Sequence, residues 1–329
     1  MQAVAIALAI LIAIGSPTPA FGYLTFAVRA GANTVSVKWN RLPIQYFVSE
    51  RPAPDVTSAA LAGAISRAFT TWQAVPTSNV TAQFVSLTTA APGFRDGLTT
   101  LGFLERTDLD RVLGATSLLI DDSTGEVLEA DVFFNSRFPW SAADSGEPGR
   151  VDLESVALHE IGHLLGLGHS ALGETEMVGG NRRVIGSGAV MFPIALSAGA
   201  VADRVLQPDD IAGVSELYPE QAFLDDTGSI SGRVTKNGNG VVGAHVVALN
   251  ARTGALVAGF ALNENGEFAI RGLEPGPYIV RAEPLDDADV ESFFQMPIDL
   301  NFHATYAARL VAVPRGGSSG FVTIAVRPK

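Results

Sequence analysis

The stretch HEIGHLLGLGHS, residues 159–170, decides how this sequence is read. It holds three of the chain's five histidines, spaced four and then six residues apart. The apolar run from Leu153 to Leu165 predicts the helix that carries it. On that helix His159 and His163 lie one turn apart and face the same side. Gly166 lets the chain leave the helix in a left-handed conformation, and Gly168 permits a tight approach. His169 then returns toward the first two. Had the helix simply continued, His169 would sit far round the cylinder.

Three neutral imidazole nitrogens leave one tetrahedral position on zinc for water, as a catalytic site requires. A metal so held lowers the water's pKa toward about 7. Glu160 stands beside the first ligand and can act as general base without being a ligand. The competing reading is a buried apolar helix whose histidines satisfy local hydrogen bonds. That reading suits a lone histidine better than five positions fixed together: His159, Glu160, His163, Gly166 and His169.

These five positions resemble the metzincin zinc-protease signature, and Ser170 directly after the third histidine is similar to the matrixin branch. The resemblance implies a methionine turn under the metal. Met191, in GAVMFP (188–193), stands 22 residues past His169 and is the candidate. Pro193 occupies the place where other branches carry a fifth, tyrosine ligand. QPDDIAGVSELY (207–218) is similar to the closing helix of matrixin catalytic domains, making Asp209 or Asp210 a support near the methionine turn. A plain acidic first turn favoured by the helix dipole explains the same two residues. By the same resemblance, the loop from Pro193 to Leu206 borders the specificity pocket. Vertebrate matrixins use further histidines for a structural zinc, and none precedes His159 here.

Around the motif the pattern is mixed. Apolar residues from Thr57 to Trp72 fall at steps of three and four, predicting a helix capped by Asp55 or Thr57. Strands are expected at 35–39, 44–48, 80–87, 98–104, 115–120 and 127–134, and a third helix at 207–217. The strand at 115–120 is the expected sheet edge. Asp121, Asp122, Glu126, Glu129 and Asp131 offer oxygen ligands of the kind calcium takes, but solvated loop and strand-edge acids are the preferred reading.

Composition changes near residue 220. From 228 onward, short alternating strands are split by Asn-Gly and Pro-Gly turns, the pattern of an antiparallel sandwich. This part resembles the carboxypeptidase regulatory-like, transthyretin-type domain, which implies an accessory role in contacting substrate or a cell surface. Its His245 and His303 are isolated and read as structural. The expected fold class is α+β, a metzincin domain of twisted mixed sheet with three helices followed by an all-β sandwich. Expected boundaries are 1–22 for a signal peptide, 23–34 for a short N-terminal segment, 35–221 for the metalloprotease domain, 222–227 for a linker and 228–329 for the sandwich.

The net charge of -12 argues against nucleic acid as partner. The absence of cysteine excludes disulfides, thiolate ligands and a thiol-based latency switch. An apolar run at 3–14, then Pro17, Pro19 and Ala20-Phe21-Gly22, reads as a secretory signal peptide. An uncleaved anchor is the alternative. Together these imply a secreted, extracellular or periplasmic and bacterial, zinc endopeptidase acting on protein or peptide substrates. No stable membrane insertion is expected after cleavage. The rival reading is a secreted adhesin or binding protein with a relic protease domain.

Overall fold

In the computed structural model, the residues described are 10–11, 25–30, 33–51, 53, 55–179, 181–294 and 296–329. The expected signal peptide lies outside them apart from residues 10–11. The first part runs β1 (Ile10–Leu11), β2 (Ala27–Ala30), β3 (Asn33–Ser36), β4 (Ile44–Ser49), α1 (Ser58–Gln73), β5 (Ala82–Thr88), β6 (Thr100–Leu104), β7 (Gly114–Ile120) and β8 (Val127–Asn135). It continues through β9 (Trp140–Ser141), β10 (Val151–Asp152), α2 (Leu153–Leu164), β11 (Gly173–Val178), β12 (Asn181–Ser187) and α3 (Pro208–Leu217).

A mixed six-stranded sheet has the order β1-β7-β8-β6-β4-β5. β4, β5, β6 and β8 run parallel, and β7 runs antiparallel to β8. Among the described residues, β7 therefore lies at the margin, bordered beyond by the two residues of β1 at Ser117 and Leu118. Thr57 caps α1, accepting the Ala60 N–H, and the predicted stripe of Leu61, Ala64, Ile65, Ala68, Phe69 and Trp72 is buried. α1 and α2 share one apolar core with the sheet. Packing at that core is closed by long-range indole bonds: Trp72 Nε1 donates to Leu158 O at 2.9 Å.

Three segments differ from expectation. The strand expected at 35–39 is β3, paired with β2 over 33–36, because Lys38 turns to serve Leu217 O at the end of α3 and Trp39 turns to serve Leu164 O at the end of α2. The hairpin β11–β12 between His169 and Met191 had no clear periodicity in the sequence. Residues expected as a linker form α4 (Gln221–Asp226), whose Phe223 is buried.

The second part runs β13 (Gly228–Lys236), β14 (Asn239–Gly240), β15 (His245–Asn250), β16 (Leu256–Phe260), β17 (Glu267–Leu273), β18 (Gly276–Glu283), β19 (Thr305–Tyr306), β20 (Val311–Val313) and β21 (Val322–Val326). β13 lies between β17 and β21, while β15 lies between β16 and β18. The two sheets share a core that includes Ile230, Val246, Phe268, Val280 and Ile324. The whole is α+β, with a β-rich C-terminal part. Among the described residues no helix is long and apolar enough to cross a membrane.

Candidate metal centre

α2 begins at Asp152, whose carboxylate accepts the Ser155 N–H at 3.0 Å. Its end is built as carefully as its start. Gly166 has φ 103°, and a Cβ there would stand 2.2 Å from Val37 O, so only glycine fits. Gly166 N donates to His163 O, and Leu167 N to Gly162 O at 3.0 Å, the paired bonds of a Schellman ending. The carbonyls left over find donors far away in sequence. Trp39 Nε1 serves Leu164 O at 2.9 Å, Tyr218 OH serves Leu165 O at 2.7 Å, and Phe26 N serves Gly166 O at 2.8 Å.

The turn brings three imidazoles together. His159, His163 and His169 are buried, and their ligand atoms lie within 4.8 Å of one another. Each Nδ1 faces a backbone carbonyl: Val190 O at 2.7 Å from His159, Leu167 O at 2.8 Å from His163, and Ser292 O at 2.7 Å from His169. A carbonyl can only accept, so each Nδ1 carries the proton and each Nε2 presents a lone pair. His163 Nε2 is then 3.0 Å from His159 Nε2 and 3.2 Å from His169 Nε2, with no proton between them. Such a cluster is repulsive unless a cation fills it. Zinc–nitrogen bonds of about 2.0–2.1 Å place tetrahedral ligands roughly 3.3 Å apart, so the residues fit that ion. Burial holds the imidazoles neutral, pushing His159 down to about 3, His169 down to about 4 and His163 well below its ordinary value.

Glu160 is fully buried beside this cluster. Thr116 Oγ1, on β7, lies 2.8 Å from Glu160 Oε2, whereas Glu160 Oε1 has no hydrogen-bond partner among the described residues. A Cβ on Gly114 would come within 3.1 Å of that free oxygen, so the glycine leaves it room. Burial pushes the Glu160 carboxyl up to about 8, against the Thr116 bond.

Met191 packs beneath. A Cβ on Gly162 would stand 2.2 Å from its Sδ, so this glycine lets the sulfur approach the helix. The turn around Met191 is pinned by Asp210, which accepts the N–H groups of Val190 at 2.9 Å, Met191 at 3.1 Å and Gln207 at 2.8 Å. Asp209 accepts the Ser170 hydroxyl at 2.6 Å. Both acids are buried, so α3's first turn does more than complement a dipole. Met191 O accepts the Ser170 N–H at 2.9 Å, closing the loop between turn and third histidine. Beside His159 a cavity opens, lined by Leu113, Val156, Val190, Phe192, Pro193 and Asp203.

The acids considered for calcium are engaged separately. Glu129 accepts Gly97 N, Asp131 accepts Thr100 N, Asp121 accepts Ser123 N, and Glu126 faces Arg41 at 3.6 Å. His245 pairs with Glu283 at 3.1 Å, and neither it nor His303 joins the cluster. Sequence reasoning did not find Thr116, Gly114 or the three carbonyls. The first two carry no motif of their own, and a backbone oxygen has no residue type to read.

Comparison with known proteins agrees with this geometry. The carboxypeptidase regulatory-like domain profile matches residues 229–291. Metalloendoproteinase 1-MMP of Arabidopsis thaliana is 31% identical over 212 residues, covering 61% of this chain and 50% of that protein. Metalloendoproteinase 5-MMP of the same plant is 42% identical over 92 residues, 27% of this chain and 21% of the relative. Stromelysin-1 of Mus musculus is 26% identical over 184 residues, 56% of this chain and 33% of the relative. The chain thus spans half or less of the length of these relatives. The matrixin profile itself matches residues 38–219, the stretch that holds β4 to β8 of the sheet, the helices α1 to α3 and the histidine cluster, and so this chain belongs to the matrixin family, whose members are zinc-dependent.

Proposed function

We propose that this chain is an exported zinc endopeptidase that hydrolyses peptide bonds of protein substrates. Zinc is held by Nε2 of His159, His163 and His169, Met191 forms the floor beneath them, and Gly166 makes the return that delivers His169. Bound zinc supplies Lewis acidity, which lowers the pKa of a water toward about 7 and polarises a carbonyl. Glu160 Oε1 would act as general base, taking a proton from the attacking water and giving it to the leaving amine nitrogen. Thr116 steadies Oε2 meanwhile, so the two carboxylate oxygens have separate tasks. Substrate lies extended along the margin of β7, bound by backbone hydrogen bonds. That margin already takes up one extended segment of the chain at Ser117 and Leu118, which supports its readiness to pair. A side chain next to the cleaved bond enters the cavity beside His159. Residues 35–221 form the catalytic unit and 228–329 an appended β-sandwich, and the segment 1–22 directs export.

The observation that carries this reading is the set of three Nε2 lone pairs facing one point, beside an unpartnered carboxylate oxygen. Purified protein should cleave unfolded casein and stop when a zinc chelator is added. Glu160→Gln should lower kcat by about 100-fold or more while zinc stays bound. Undiminished cleavage by that variant sinks the assignment of Glu160.

A further inference from the structure

Two of the three ligand histidines take their orienting carbonyl from the matrixin part itself, at Val190 and Leu167. The third does not. His169 Nδ1 donates to Ser292 O, 123 residues further along the chain, in a loop of the second part. Phe293, the next residue, sets its ring edge-on to His169, with centroids 5.9 Å apart at 67°.

This contact is anchored from behind. Phe260 on β16 meets Phe293 at 5.7 Å and Phe294 at 5.1 Å between centroids. Ala171, two residues past His169, is buried in the same cluster with Phe260 and Leu285. The hairpin that follows His169 is tied to the loop as well. Thr175 N donates to Asp287 Oδ1 at 3.2 Å, Thr175 Oγ1 to Asp287 O at 2.8 Å, and Arg182 Nη1 to Asp286 O at 2.9 Å. On the other flank, Ser170 bonds Asp209 Oδ2, while Asp209 Oδ1 accepts the Ala258 N–H of β16 at 2.8 Å. The short segment His169–Ala171 is therefore held from both sides by the second part.

We propose that the loop at 286–294 is a positioning element of the metal centre, with Ser292 O and Phe293 fixing the orientation of His169, so that zinc affinity belongs to both parts together. This rests on the zinc-binding reading above. The physical reason is that a ligand imidazole without its second hydrogen bond loses its fixed tautomer and ring orientation, which costs roughly 10–100-fold in metal affinity. The C-terminal part on this view completes the site, rather than serving as a detachable adhesive module.

The test uses the full chain, stripped of metal, and measures the zinc dissociation constant by competition with a chromophoric chelator. Cobalt(II) is substituted in parallel to report ligand geometry through its visible spectrum. Replacing 288–294 by a Gly-Ser segment of equal length should weaken zinc about 10–100-fold and alter the cobalt spectrum. Phe293→Ala should move in the same direction, and Phe293→Leu should recover most of the loss. Arg271→Ala, which breaks the distant Arg271–Glu216 pair between the two parts, should leave zinc affinity unchanged. A loop replacement with native circular dichroism and wild-type zinc affinity overturns the proposal. Should that replacement not fold, Phe293→Ala decides by the same criterion. Failure of the wild-type chain to bind zinc would instead overturn the metallopeptidase reading beneath it.

Discussion

Thr116 Oγ1 sits 2.8 Å from Glu160 Oε2 and 2.9 Å from Glu160 O, so one hydroxyl on the sheet margin braces both the side chain and the backbone of the buried acid. A hydrogen bond to the ionised carboxylate favours the charged form, so the Thr116 bond holds the Glu160 pKa below where burial alone would push it. Thr116→Val should raise that pKa further. A smaller fraction of Glu160 is then ionised at any given pH, and the acid limb of kcat/KM should move to higher pH. Near the lower end of the working range the loss should be about tenfold, the worth of one hydrogen bond to a charged group. An unmoved acid limb would show that Thr116 does not act through Glu160.

Gly166→Ala should be the costliest small substitution in the motif. The position has φ 103°, and the new Cβ would meet the backbone oxygen of Val37 at 2.2 Å, which no side-chain movement relieves. We expect a loss of about 2 kcal/mol or more in urea unfolding, from left-handed strain plus overlap. Zinc affinity should fall with it, because the same turn aims His169. Stability within about 0.5 kcal/mol of wild type would contradict the account of the turn.

Asp210→Ala leaves the buried N–H groups of Val190 and Met191, and the part-buried one of Gln207, without their acceptor. Each buried unsatisfied donor costs about 1–3 kcal/mol, so a loss of at least about 2 kcal/mol is expected by urea denaturation. Because Val190 O orients His159, the variant should also release zinc faster to a chelator. Asp210→Asn, which keeps one acceptor oxygen, should fall between the two.

Acid should remove zinc later than ordinary histidines would suggest. Burial lowers His159 to about 3 and His169 to about 4, below the unfolded value near 6.5. A depressed folded pKa means that protons prefer the unfolded chain. The contribution of these groups to stability is whole above about 6.5 and is lost progressively as pH falls from there through the folded values, whereas within the folded chain protonation begins only near those values. Protons therefore compete poorly with zinc until about pH 4. Dialysis followed by metal analysis should find zinc bound at pH 5.5 and released toward pH 3. Half-release above pH 6 would mean that the imidazoles titrate as exposed ones.

The parts legible in the sequence were those with a period or a fixed residue type. The stripe from Leu61 to Trp72 repeats at helical steps, and its cap is a threonine in the expected place. The histidines and Gly166 are demanded by chemistry and by φ, so they could be read in order. What stayed hidden consists of relationships that carry no residue signature. Val190, Leu167 and Ser292 act through carbonyls that any residue would supply. Gly114 matters only for the space it leaves to Glu160. Asp209 and Asp210 could not be told apart until their partners were seen, one reaching Ser170 and Ala258, the other the methionine turn. The β11–β12 hairpin is half exposed on both faces, so its apolar pattern is weak.

The end of α2 has a consequence for how far this fold can be trimmed. Its last carbonyls are served by Phe26 and Trp39 on one side of the motif in sequence and by Tyr218 on the other. Phe26 precedes the matrixin match and Tyr218 stands at its end, nearly two hundred positions apart, and they meet at one helix terminus. Cutting in from either direction strips the helix of an acceptor's partner before it touches a single histidine. A piece that lacks either Phe26 or Tyr218 therefore loses part of this terminus, even where the 286–294 loop that orients His169 is kept, and the helix terminus works as the clasp that closes that span.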